Sequence, residues 1–174
     1  MKKALAIAIG VIMACAVGYA IWQLPISDVR PATVALPTSE TLVLAGRVTD
    51  AASILSEAEE VALTARLAEF EARTKHQFVV VTVPTLNGQD VAKYTLALAN
   101  RWGIGRQVYK DGLVILVAPN ERKVRIEVGL GLERVLPDAV CANVIDDEML
   151  PKFREGDIPA GIKSGATALM SRFP

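Results

Sequence analysis

The sequence predicts an α/β fold, a three-layer α/β/α sandwich on a mixed sheet, preceded by one N-terminal transmembrane helix. Three observations carry the sandwich. Phe78-Val79-Val80-Val81-Thr82-Val83 is a nearly continuous β-branched run stopped by Pro84, the pattern of a strand covered on both faces. Leu113-Val114-Ile115-Leu116-Val117-Ala118 follows the turn Lys110-Asp111-Gly112 and reads as a second buried strand. Pro119-Asn120-Glu121-Arg122 then leads into Lys123-Val124-Arg125-Ile126-Glu127-Val128, where charged and apolar residues alternate. That pair is a β-hairpin with one buried and one half-exposed strand. Helical patterns before, between and after these strands must supply the layers above and below.

Taken in order, the chain divides into residues 1–24, 25–44 and 45–174. Met1-Lys2-Lys3 precedes a stretch from Ala4 to Trp22 without a charge. About 20 apolar residues cross a bilayer as a helix, and Ala4 to Leu24 meets that length. The lysines favour a cytoplasmic N-terminus, which delivers the rest of the chain across the membrane. The unbroken length favours an uncleaved anchor over a cleaved signal peptide, for which Gly18-Tyr19-Ala20 is a poor cleavage site. Lipidation at Cys15, after Ile12-Met13-Ala14, is a third reading. Pro25, Pro31 and Pro37 recur six residues apart among Ser, Thr and Asp, which describes an extended tether.

In the third segment, Arg47-Val48-Thr49-Asp50 is a short extended stretch. Ser56-Glu57-Ala58-Glu59 is a capping box that opens a helix with Leu63, Leu67 and Phe70 on one face. Asp90 is the N-cap of a helix through Val91, Tyr94, Leu98 and Trp102 that Gly103 ends. After the hairpin, Pro137-Asp138 starts a helix through Val140, Val144, Ile145 and Met149 to Pro151, its wet face carrying Asp146-Asp147-Glu148. A last helix opens near Asp157 and uses Ile158, Ile162, Ala166, Leu169 and Phe173.

Composition and motifs exclude several functions. Lysines and arginines number 19, as do aspartates and glutamates, so no charge excess points to nucleic acid. Gly129-Leu130-Gly131 lacks the third glycine of a dinucleotide fingerprint, Arg134 standing there, so no nucleotide cofactor is expected. Its glycines read as positive-φ residues where the chain leaves the sheet. No G-x-S-x-G, H-E-x-x-H or paired C-x-x-C occurs, His76 reads as a surface residue, and no catalytic residue is assigned. Cys141 reads as a small core residue on a helix.

Asp50, Asp111, Glu133 and Asp138 each sit at an element boundary, and symmetric pairing of the hairpin sets Asp111 opposite the Gly129 to Glu133 loop. Loop carboxylates of this kind bind hard cations such as Ca²⁺ or Mg²⁺. Asp138 is equally explained as a helix cap and Asp50 as a turn residue, so only their convergence makes a metal site.

Gly46-Arg47-Val48-Thr49-Asp50-Ala51-Ala52-x-x-Leu55, Trp102-Gly103-Ile104-Gly105, Asp111-Gly112-Leu113-Val114-Ile115-Leu116, Lys123 to Glu133 with Gly129-x-Gly131, and Leu136-Pro137-Asp138 together resemble the TPM domain. That family occurs in thylakoid-lumen proteins linked to photosystem II repair and in bacterial envelope proteins, and the resemblance spans residues 45 to 172. It implies an α/β/α sandwich displayed outside the cytoplasm on a membrane anchor. It also implies divalent-cation binding, calcium in particular, with the acidic positions at Asp50, Asp111, Glu133 and Asp138. Lys110 stands where the family often has an acidic residue, and Leu130 where it often has an aromatic one. The expected function is therefore a single-pass, periplasmic-side accessory module for an envelope membrane protein, with a weak Ca²⁺ or Mg²⁺ site. The alternative is a metal-dependent acid phosphatase in which Asp111 and Glu133 hold the cation.

Overall fold

The computed structural model describes residues 41–174. The apolar segment with Cys15, and the tether up to residue 40, lie outside the described residues. No helix among the described residues is long and apolar enough to cross a membrane.

Four strands, β1 (Val48–Asp50), β2 (Gln77–Thr82), β3 (Gly112–Ala118) and β4 (Lys123–Val128), form one sheet in that order. β1, β2 and β3 are parallel, and β4 is antiparallel to β3. The sheet is mixed because a four-residue turn, with the Arg122 N–H on the Pro119 carbonyl at 3.1 Å, brings β4 straight back. The helices are α1 (Glu57–Thr74), α2 (Val91–Trp102), α3 (Asp138–Asn143), α4 (Leu150–Arg154) and α5 (Ile158–Met170). A π-turn, Val144–Met149, joins α3 and α4 into one continuous helical run.

Side chains alternate between the faces of a strand, and two apolar cores follow. Phe78, Val80, Leu113, Ile115 and Val117 face Leu63, Leu67 and Phe70 of α1, Ile162 and Leu169 of α5, and Val144 and Met149 of the π-turn. Val79, Val81, Val114 and Leu116 face Tyr94 and Leu98 of α2 on the other side. Both cores are built from residues 42–173, so this part of the chain carries its own interior. β1 to β2 and β2 to β3 step the same way along the sheet, yet α1 covers one face and α2 the other. The two crossovers therefore have opposite hands. One of them is left-handed, against a strong general preference.

Local signals set the helix ends. Ser56 Oγ accepts from the Glu59 N–H at 3.3 Å while Glu59 Oε2 accepts from the Ser56 N–H at 2.9 Å. Asp90 accepts from the N–H groups of Ala92 and Lys93, and Gly103 ends α2 at φ 63°. Asp157 Oδ1 accepts from the Ala160 N–H at 2.9 Å. Each such cap contributes about 1 kcal/mol.

The run expected from Pro137 to Pro151 differs in two respects. Pro137 occupies the cap position without a side-chain bond, and Asp138 is the first helical residue, not the cap. Pro151 does not stop the helix, which continues to Arg154. A proline lacks an N–H and its ring meets the carbonyl four residues back, here that of Asp147. The preceding turn widens instead, with the Leu150 N–H donating to the Ile145 carbonyl. Asp146, Asp147 and Glu148 are exposed there as expected. Cys141 is buried, and burial pushes its thiol pKa up.

Candidate functional site

β1, β2 and β3 begin at one end of the sheet, and β4 finishes there. At that pole the Gly112 carbonyl accepts from the Gly129 N–H at 2.8 Å, and the Lys110 carbonyl from the Gly131 N–H at 2.9 Å. The hairpin thus lays the 106–110 loop against the 129–133 loop, as its symmetry requires. A Cβ at Gly131 would lie 1.9 Å from the Tyr109 carbonyl oxygen, and one at Gly129 2.2 Å from that of Lys110. Neither glycine has a positive φ. They are needed for close backbone approach, not for the left-handed conformation that the sequence pattern suggests.

Asp111 immediately precedes β3 and shares the face of Leu113. It is 2% exposed. Its Oδ1 accepts from the Arg106 N–H at 2.8 Å, and its Oδ2 from Arg106 Nε at 2.8 Å and from Nη2 of the same guanidinium. His76 Nδ1 lies 3.1 Å from Oδ2. Burial pushes the Asp111 carboxyl pKa up, but the hydrogen bonds from Arg106 and His76 outweigh it and hold the carboxyl at about 2. The same pairing raises the Arg106 pKa. Arg106 also stacks over the Tyr109 ring at 4.0 Å, and the His76 ring sits 5.4 Å from that of Phe173. At neutral pH the Asp111 charge is fully engaged by these two partners.

The other three expected site residues lie elsewhere. Glu133 is exposed and borders a hollow with Leu96, Lys110 and Leu130 on the α2 face, so it and Asp111 belong to opposite faces of the sheet. Asp50 ends β1, where its Oδ2 accepts from the Leu55 N–H at 2.8 Å and its Oδ1 from the Thr82 hydroxyl. In register, Asp50 is level with Thr82 while Gly112 is level with Gln77, and hence Asp111 with His76, which separates Asp50 from Asp111 by about 20 Å along the strands. Asp138 is exposed at the start of α3. A calcium ion takes six to eight oxygens at once, and these four carboxylates do not fit a shared Ca²⁺ or Mg²⁺ site. Among the described residues, no group of three or more His, Cys, Asp or Glu is placed to hold a metal.

Arg106 and His76 are the members of this cluster that the sequence reading misses. The signal for His76 is register: with Gln77 beside Gly112 in parallel strands, the residues just before them, His76 and Asp111, are neighbours. His76 is accordingly paired and partly buried, not a free surface residue.

The same pole exposes large apolar side chains on its two loops. Val108 is 87% exposed, Leu130 70%, Tyr109 59% and Val135 41%. The polypeptide also enters the domain here. The Leu42 carbonyl accepts from Trp102 Nε1 at 3.2 Å and from the Arg101 guanidinium, at the end of α2.

Residues 48–172 match the family model described as the TPM domain. The fold is similar to the N-terminal domain of a protein from P. gingivalis, solved by solution NMR, at a TM-score of 0.73 and 34% identity, covering 79% of this chain and 91% of that one. It is also similar to the N-terminal domain of the cg2496 protein from Corynebacterium glutamicum, with a TM-score of 0.58, 21% identity, and 76% and 87% of the two chains covered. The BA42 protein from Bizionia argentinensis likewise gives 0.58 and 21%, over 70% of this chain and 86% of that one. Among curated proteins, none matches the chain.

Proposed function

This chain belongs to the TPM domain family, and from that premise we propose that it is a membrane-tethered, extracytoplasmic binding module that docks an envelope membrane protein through the 106–110 and 129–135 loops. One observation carries the reading: Val108, Tyr109, Leu130 and Val135 are exposed together at the end of the domain where the chain arrives from residue 40. Scattered exposed apolar residues are ordinary, but a cluster on adjoining loops marks an interaction surface. The backbone bonds of Gly129 and Gly131 and the Arg106 clamp on Asp111 hold both loops in place. Such loops lose little freedom on binding. Ala4 to Leu24, read as an anchor with its lysines in the cytoplasm, holds the domain on the outer side of the membrane.

A photo-crosslinking residue at position 108 or 130, in the full chain in intact membranes, tests this directly, with position 120 in the β3–β4 turn as the control at the far end. Discrete protein adducts from 108 and 130 but not from 120 are expected. Adducts to lipid alone, or the same adducts from all three positions, would refute the reading. The acid phosphatase alternative requires Asp111 and Glu133 on one cation, and their opposite faces speak against that arrangement. It is checked by p-nitrophenyl phosphate hydrolysis, which an Asp111→Asn variant must abolish if the alternative holds.

A further inference from the structure

A separate cavity of about 440 Å³ opens at the other end of the sheet, where β3 runs out. Val117, Leu150, Phe153 and Ile158 form its walls, and the exposed Arg122, Lys123 and Arg154 stand at its mouth. Its size falls within the range of small-molecule sites, and ligands of open α/β sheets collect at the carboxyl ends of parallel strands. The π-turn shapes it. An extra residue in one helical turn rotates everything that follows by about 100°, and that offset decides which side chains of α4, Leu150 and Phe153, meet the cavity.

The two guanidinium groups at the mouth are unpaired. The side chains of Arg122 and Arg154 have no hydrogen-bond or ion-pair partner among the described residues. Lys123 interacts with the carboxylates of Asp90 and Glu121, so the unpaired positive charge is that of Arg122 and Arg154. Asp90 accepts from the start of α2, and Glu121 Oε1 accepts from the Thr85 hydroxyl at 2.6 Å and the Leu86 N–H at 2.9 Å. Of the acidic residues in the connection to α5, Glu155 pairs with Lys152 at 3.2 Å and Asp157 caps α5. Apolar walls beneath unpaired guanidinium groups suit an amphiphile whose acidic head accepts paired N–H donors while its tail leaves water.

We infer that this cavity binds a carboxylate or phosphate monoester carried on a short hydrocarbon chain, a second site at the opposite end of the sheet from the 106–110 and 129–135 loops. Residues 41–174 contain both cores, and a similar domain has been solved by itself, so the test uses this fragment in solution. Decanoate and decyl phosphate, each below its micelle concentration, are titrated by calorimetry and by NMR. Decyltrimethylammonium and inorganic phosphate serve as controls. Saturable binding of one or both anionic amphiphiles is expected, with shifts centred on Leu150, Phe153 and Ile158; which of the two binds identifies the head group. Reversing both exposed charges, Arg122→Glu with Arg154→Glu, is expected to weaken binding at least ~10-fold while the rest of the amide spectrum stays in place. The inference is overturned by equal binding of the cationic amphiphile, by inorganic phosphate binding as tightly, by shifts centred on Val108 and Leu130, by no binding, or by an unchanged affinity in the double variant.

Discussion

Replacing Asp111 by asparagine keeps the volume and removes the charge that Arg106 and His76 share. The native carboxyl lies at about 2 against an ordinary 3.8, a difference that corresponds to about 2 kcal/mol of stability at 1.36 kcal/mol per pH unit. The folded pKa is the lower one, so this contribution is complete at pH 7, begins to fade as pH falls below about 4, and is lost as pH passes through about 2. Roughly half of it remains at pH 3. Urea denaturation of residues 41–174 at both pH values reads the effect directly. The Asp111→Asn variant is expected to be about 2 kcal/mol less stable than the wild type at pH 7 and about 1 kcal/mol less stable at pH 3. At pH 7 the melting point should fall by roughly 6–10 °C for a domain of this size. A deficit that stays constant between pH 7 and pH 3 would refute the reasoning, because the loss would then come from shape and not from charge. So would a variant within ~0.5 kcal/mol of wild type at pH 7.

Gly131→Ala places a Cβ against the Tyr109 carbonyl, a backbone atom that cannot swing away, and should cost about 2 kcal/mol or more in urea denaturation; a cost below ~0.5 kcal/mol would show that the two loops can part freely. The Tyr94 hydroxyl is buried with no partner among the described residues, and burial raises its pKa. Tyr94→Phe should therefore be neutral or stabilising by up to about 1 kcal/mol; a comparable loss would refute this. Titration of residues 41–174 with millimolar CaCl₂ should give neither saturable heat nor a melting-point rise, since Arg106 and His76 engage Asp111 while Thr82 and Leu55 engage Asp50. Saturable heat that Glu133→Gln or Asp50→Asn abolishes would restore a cation site.

Features decided within a few residues were legible in the sequence. The Ser56 and Glu59 box, the Asp90 and Asp157 caps, the Gly103 stop and the Pro119 to Arg122 turn are all local events, and each stands where its motif puts it. Placement across the sheet was not legible. Nothing near α1 or α2 says that their crossovers differ in hand, because that follows from which faces the two amphipathic stripes cover. Boundary position identified Asp111 and Glu133, but a side chain's face is fixed by strand parity. That parity runs from Leu113 back to Asp111, whereas it is broken for Glu133 by the turn after Val128. The Asp111 to His76 contact needed the parallel register of β2 and β3, a pairing 35 residues apart in the chain. The widened turn before Pro151 was visible only as a conflict: a helical pattern with a proline inside it.

The two rims of the sheet bear on how molecules of this protein behave when crowded together. β1 is only three residues long, and β4 carries Lys123, Arg125 and Glu127 at alternate positions. Short rims and regularly spaced charges resist the addition of a foreign strand, the first step toward cross-β aggregates. Copies concentrated on one surface can therefore sit side by side while their sheets stay separate.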